Sequence, residues 1–232
     1  MNKNDFYEFL INKIEDNKII LFGELHGTKE IPMILSNFFD KFVKNNNFNI
    51  FMEIPDEEQE NVNNFLLSGD EKLLLQTEFF KNNYNNDGRN SLEYFEFIKN
   101  IYLLNKKFKK KIKIFCIDIS NITLVEERDN IMANNVIKNL EKEFNFVIVG
   151  NLHASKKCIN FDDFCFKTLG SFIYKNYKNQ MISINILPET GQFFNNSIEK
   201  VPDLNEFKEI SKNYDYTYFI ENSSCCSFLK KN

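Results

Sequence analysis

Two short apolar runs constrain this chain more than anything else in it. Ile19-Ile20-Leu21-Phe22 leads into Gly23-Glu24-Leu25-His26-Gly27, and Phe146-Val147-Ile148-Val149 leads into Gly150-Asn151-Leu152-His153. Each run has the length of a strand and stops at a glycine, a polar residue and then a histidine; the chain has no other histidine. Continuous apolar runs bounded by turn signals read as strands covered on both faces. After the first turn, Ile31, Ile34, Leu35, Phe38, Phe39, Phe42 and Val43 recur at three- and four-residue spacing, which predicts an amphipathic helix with Pro32 tolerated in its first turn.

The alternation continues along the chain. Strands are expected at 18–22, 48–53, 112–117, 144–149, 181–186 and 214–220. Pro55 should stop the second one. Asp56 is placed to cap the following helix, with Gln59 completing a capping box, and Ser68-Gly69 is a C-cap signal. Further helices are expected at 71–80, after a cap at Asn90 or Ser91, from 126 to about 140, and at 204–210; residues 155–180 carry no clear period. Strands alternating with helices imply crossover connections. The expectation is an α/β fold with a mostly parallel, mixed central sheet and helices on both faces. It forms a single domain over 1–232 with a helical insertion around 56–107.

In such a sheet the strand ends matter. Glu24 and His26 follow the first strand, Glu53 ends the second, Asp118 ends the third, and Asn151 and His153 follow the fourth. Ligands of open α/β sheets bind beyond these carboxyl ends. Buried carboxylates are costly unless paired, protonated or metal-bound. Lysine supplies nearly all the positive charge, and the chain's two arginines, Arg89 and Arg128, are candidates for a planar, two-pronged donor. The set offers a general base, a cation for an oxyanion and N/O ligands for a divalent metal. It has no Gly-x-Ser-x-Gly elbow and no phosphate-cradling loop, which favours an activated water over a covalent intermediate.

Other classes are disfavoured. A net charge of −4 gives no electrostatic case for nucleic acid. No apolar run approaches the ~18 residues of a membrane span, and no signal peptide pattern opens the chain. Five cysteines, an odd number without a Cys-x-x-Cys pair, suggest free thiols in a reducing compartment, so a cytoplasmic location is expected.

Gly-Glu-Leu-His-Gly-Thr-Lys-Glu at 23–30, Met-Glu-Ile-Pro at 52–55, Asp-Gly-Arg-Asn-Ser at 87–91, Arg128-Asp129-Asn130-Ile131-Met132-Ala133 and Gly-Asn-Leu-His-Ala at 150–154 follow one another in this order. Together they resemble the superfamily of erythromycin esterases, ChaN-like haem-binding proteins and TIKI/TraB proteins, with Gly-Glu-x-His spacing closest to the ChaN-like branch. The resemblance implies a mixed α/β fold with Glu24, His26, Glu53 and His153 around one cleft. In esterase members a histidine oriented by a glutamate acts on water without metal. In TIKI-type members the equivalent residues hold a divalent metal, here Glu24, His26 and His153 with Mn, Co or Zn.

The expected activity is hydrolysis of an ester, amide or peptide bond in a small-molecule or peptide substrate. His26 or His153 would deprotonate water, Glu24 and Glu53 would orient the histidines or hold a metal, and Arg89 and Arg128 would bind negative charge. Asp118, Asp129 and Asn151 would support the site. The alternative is a haem- or small-ligand-binding protein without turnover.

Overall fold

The computed structural model describes residues 5–14, 17–81, 86–120, 125–161, 164–203 and 211–229. The first half of the chain forms α1 (Asp5–Ile11), β1 (Ile19–Glu24), α2 (Glu30–Phe42), β2 (Phe48–Pro55), a 3-10 turn (Asp56–Glu58), α3 (Gln59–Ser68), α4 (Lys72–Leu75), α5 (Glu78–Lys81) and α6 (Leu92–Phe108). The second half forms β3 (Ile114–Asp118), α7 (Val125–Lys138), β4 (Phe144–Gly150), α8 (Asn151–Ala154), β5 (Ile159–Phe161), β6 (Phe164–Phe166), α9 (Leu169–Tyr177), β7 (Met181–Pro188), β8 (Gln192–Asn195), β9 (Ser197–Lys200) and β10 (Tyr216–Ile220). Six strands make one sheet, ordered β10-β7-β1-β4-β2-β3, and every pairing in it is parallel. The antiparallel pairs, β5 with β6 and β8 with β9, stand apart as two hairpins.

Alternation along the strands sorts the core into two layers. Ile20, Phe22, Phe146 and Ile148 face α1, α2 and α6, whereas Leu21, Val147 and Val149 face Met132 and Val136 of α7 and Leu169 and Ile173 of α9. The first layer explains the abundance of phenylalanine. The Phe146 ring meets Phe22, Phe38, Phe39, Phe42 and Phe48 at centroid distances of 5.0–5.7 Å, mostly edge-to-face. Such pairs add to the apolar area they bury.

Local differences from the sequence reading have identifiable causes. β2 runs past Glu53 to Pro55, but its register with β3 shifts between Met52 and Pro55, so the proline's missing N–H falls at an irregular end. The helix expected at 71–80 is split into α4 and α5 because Glu58 Oε1 accepts the amides of Glu78 (2.8 Å) and Phe79 (3.4 Å) and starts a new turn there. Gly69 ends α3 in the left-handed conformation, and Ser91 Oγ caps α6, accepting from the Tyr94 amide. The unpatterned stretch 155–180 holds the β5–β6 hairpin and α9. A disulfide joins Cys158 to Cys165, with Cα atoms 5.6 Å apart. It corrects the expectation of five free thiols, leaving Cys116, Cys225 and Cys226 free. The separation of seven residues is set by the hairpin, a geometry invisible in a cysteine count. The helix expected at 204–210 lies outside the described residues. Among the described residues no helix is long and apolar enough to cross a membrane.

Gln59 does not close a capping box; neither the 3-10 turn nor α3 has a side-chain cap. Its amide reaches β3 instead, which is an edge strand. Nε2 donates to the Ile114 carbonyl and Oε1 accepts the Cys116 amide, both at 2.8 Å. Asn105 does the same one step earlier, donating to the Ile112 carbonyl at 2.9 Å and accepting its amide at 2.8 Å. Two side-chain amides thus stand in for a neighbouring strand along an edge that could otherwise pair with another chain. Gln59→Ala should lower stability by about 1–3 kcal/mol through the unpaired backbone groups it leaves. Urea melts would register the loss and light scattering the accompanying self-association; an unchanged midpoint would refute the assignment.

Candidate active site

The parallel order brings four strand ends side by side, β1, β4, β2 and β3. Glu24 closes β1, Glu53 lies near the end of β2, Asp118 closes β3, and α8 carries His153 directly after β4. Two glycines make the approach possible. Gly27 has φ +75° and its carbonyl accepts amides from Phe194 (3.0 Å) and Cys226 (2.8 Å), so the turn bearing His26 is pinned by the β8–β9 hairpin and by the C-terminal segment. That segment adds Lys29 N–H to the Ser224 carbonyl and Ser224 N–H to Glu30 Oε2. At Gly150 a Cβ would stand 2.8 Å from His26 Nε2, so only glycine lets the ring lie against this strand end.

Glu53 is the hub. Its Oε1 accepts from Arg89 Nη1 at 2.8 Å and from Arg128 Nη2; its Oε2 accepts the Gly150 amide at 2.9 Å and lies 3.3 Å from His26 Nε2. Burial alone would push this carboxyl up, but Arg89, His153 and Arg128, in that order, hold it well below the usual range. Asp118 shares Arg89 Nη1 and Arg128 Nη2 with Glu53 and takes Arg128 Nε besides. Arg128 Nε and Nη2 donate to its two oxygens at 2.7 and 2.8 Å, and Arg89 Nη1 donates at 3.1 Å. Arg89 Nε is held by Asp87 at 2.8 Å. This is fork-to-carboxylate pairing that lysine cannot make.

The two histidines sit in opposite settings. His26 has Glu24 Oε1 at 2.9 Å from Nδ1 and Glu53 Oε2 at 3.3 Å from Nε2. Carboxylates only accept, so both ring nitrogens donate and the ring is an imidazolium. Desolvation works against that charge, but the hydrogen bonds and charges of Glu24 and Glu53 outweigh it and raise the pKa to about 10. His153 has Asp129 at Nδ1, 2.8–2.9 Å, and Arg128 Nη1 at Nε2, 3.2 Å. A guanidinium only donates. Nε2 therefore presents its lone pair, and the ring proton lies on Nδ1, facing Asp129. Asp129 is itself fixed by the Leu169 amide at the start of α9, 2.6 Å.

Exposure divides the cluster again. The side chains of Glu24, Glu53, Asp118, Asp129 and Arg89 are sealed, while Arg128 is 18% exposed, His26 17% and His153 14%. What faces solvent is a guanidinium and the edges of two imidazole rings. Asn151 does not join them, since its Oδ1 caps the Leu152 amide at 2.8 Å. The sequence reading also passed over Tyr94, buried beside Glu24 in a space of about 10 Å³. Its signal was faint: a tyrosine three residues after the Ser91 cap.

The donor set does not suit a metal ion. Among the described residues no three His, Cys, Asp or Glu side chains are grouped to hold one. Of the expected ligands, both His26 nitrogens face carboxylates and Glu24 Oε1 is taken by His26, while two guanidinium charges occupy the centre.

At the level of sequence, no family profile and no curated protein matches the chain. Solved structures do. A Bacillus cereus protein superposes with a TM-score of 0.73 at 13% identity, covering 99% of this chain and 94% of its own. A protein described as a succinoglycan biosynthesis protein gives 0.73 at 11%, covering 97% and 92%. A mutant of the erythromycin esterase EreC, in its open conformation, gives 0.59 at 11%, covering 87% and 80%. The chain thus shares its fold with these structures, an erythromycin esterase among them, as the strand-end motifs led one to expect.

Removing Arg89, only 4% exposed, leaves two buried carboxylates, Glu53 and Asp118, to share the single guanidinium of Arg128. Arg89→Met should cost about 3–5 kcal/mol, measured by urea unfolding; a cost below ~1 kcal/mol would mean the cluster tolerates solvent. The same network sets two pH limits on stability. Glu53, depressed in the fold, stabilises above its unfolded value of about 4.3 and loses that contribution as pH falls through the folded value. His26, raised in the fold, stabilises fully below its unfolded value near 6.5 and loses the contribution as pH climbs to about 10. Unfolding midpoints should peak between about pH 5 and 6.5. The alkaline limb should flatten in His26→Gln.

Proposed function

We propose that this protein hydrolyses an ester, amide or related acyl bond with water activated by His153. The observation that carries the reading is the division between the histidines: His26 lies between two carboxylates at 2.9 and 3.3 Å, whereas at His153 Nε2 the nearer neighbour is the donor Arg128 Nη1, at 3.2 Å, with Glu53 Oε1 at 3.6 Å. A base oriented by a carboxylate at its far nitrogen follows the logic of the Asp–His pair in hydrolases. The contact that water has to replace, Arg128 Nη1 to Nε2 at 3.2 Å, is longer than the hydrogen bonds Arg128 makes to Glu53 and Asp118.

In this scheme the water oxygen bonds to the acyl carbon while its proton passes to His153 Nε2. The carbonyl oxygen becomes an oxyanion facing His26 and Arg128, both cationic and partly exposed. Collapse breaks the bond to the leaving group, which takes the proton back from Nε2. Asp129 steadies the imidazolium formed in between. Preorganised donors aimed at developing charge are the strongest contribution such a site can make. The substrate class is a small molecule or short peptide with an acyl bond, and an esterase built on the same fold fits this chemistry.

A screen of p-nitrophenyl esters and short peptides tests the reading. His153→Ala should lower kcat/KM by about 10²–10⁴. Asp129→Asn should lower kcat with little change in KM, because it disturbs the tautomer and not binding. Chelators should leave the rate unchanged. Full activity in His153→Ala would sink the mechanism, and loss on chelation with recovery on adding metal would replace it with a metal-bound water.

A further inference from the structure

His153 stands on α8, a single turn of four residues. A turn this short has little stability of its own, because one hydrogen bond does not offset the residues it fixes. Its position has to come from other elements. β1 supports it from below: a Cβ on Gly23 would lie 3.0 Å from Ala154 Cβ and 3.1 Å from Asn151 Cα, so the turn rests directly on the strand. Two hydroxyls from outside meet its carbonyls. Ser183 Oγ of β7 donates to the Ala154 carbonyl at 2.6 Å, and the Tyr214 hydroxyl, from the segment ahead of β10, donates to the Asn151 carbonyl. These two sources form one frame. The Asp215 amide donates to the Ser183 carbonyl at 2.9 Å, and the Ser183 amide donates to Asp215 Oδ2 at 2.8 Å. Just past the turn, the Lys156 amide donates to the Asn213 carbonyl at 3.0 Å and its ammonium pairs with Asp215 Oδ1. Three consecutive residues, Asn213, Tyr214 and Asp215, therefore grip the turn at both ends.

We propose that Tyr214 is a positioning residue for His153: its hydroxyl, with that of Ser183 at the other end of the turn, fixes the backbone from which the imidazole reaches Asp129. Arg128 and Asp129 flank the two ring nitrogens, but both belong to α7. They orient the ring only as well as α8 is placed relative to α7. A displacement of about 1 Å at a reacting group can cost ~10²-fold in rate. Tyr214 is suited to the task. Its ring packs in the core layer that includes Ala154 and Leu169. Burial pushes its phenol above the ordinary range and keeps the hydroxyl a donor.

Tyr214→Phe keeps the ring in that layer and removes only the donor. Solvent exchange of the His153 Nδ1 proton, followed by ¹⁵N-resolved NMR on the full chain, should accelerate about tenfold, the weight of one hydrogen bond lost to local opening. The His26 ring protons, held between Glu24 and Glu53, should exchange as before. Ser183→Ala removes the donor at the other end of the turn and should act in the same way; it decides the matter where Tyr214→Phe does not fold. Unchanged exchange at His153, equal acceleration at both histidines, or failure of both variants to fold overturns the proposal. The last two would make the grip a general support of the fold and not a hold on His153. The role of His153 as a base rests on the hydrolase reading, whereas this measurement uses no substrate. A failed activity screen therefore leaves the positioning role standing, and unchanged exchange leaves the hydrolase reading standing.

Discussion

Glu53 is the point through which the site is held together. One carboxylate receives two guanidinium groups, a backbone amide from the neighbouring strand end and the edge of an imidazolium. It thereby ties β2 to β4, to the segment before α6, to α7 and to the turn after β1. A buried anion in an apolar sheet would be ruinous alone. Here each partner is itself held by a second anion, Arg89 by Asp87 and Asp118, Arg128 by Asp118, His26 by Glu24. Charges held so rigidly need little reorganisation when charge develops nearby, which is the physical basis of catalysis by a preorganised polar site.

That rigidity is supported from below by the sheet. β1 and β4 are buried along their length, and the cluster of phenylalanines around Phe146 fills one face. Strand ends fixed by packing on both faces bring their last residues to a repeatable position. The glycines at 27 and 150 then allow closer approach than any side chain would permit. Sheet and site therefore divide the work: apolar contacts set where the ends are, and the ion network sets what the ends do.

Much of this was legible in the sequence, for reasons that can be named. Apolar runs of strand length with intervening helical periods force crossovers, crossovers force parallel strands, and parallel strands put Glu24, Glu53, Asp118 and His153 on one edge. Arginine was rare enough that Arg89 and Arg128 stood out, and the structure places both in the cluster. What could not be read depends on contacts between distant segments. The opposite settings of His26 and His153 follow from which groups flank each nitrogen, and no spacing encodes that. Gln59 looked like a capping residue because local pattern cannot see that β3 is an edge. Tyr94 hid in a helix whose apolar stripe explained its neighbours, and the Cys158–Cys165 bond depends on a hairpin too short for periodicity to register.

The strap that pins Gly27 has a consequence for how the molecule comes into being. The turn bearing Glu24 and His26 takes its restraints from Phe194 and from residues 224–226; Glu30 and Ser224 are 194 residues apart. β1 likewise needs β7 beside it. Contacts between α2 and β2, such as Phe39 with Phe48, are close in sequence and can form early. The turn beside the pocket, by contrast, is held by contacts that span most of the sequence. A chain clipped between Phe194 and Ser224 would carry every polar residue of the cluster while losing part of what fixes the turn of His26.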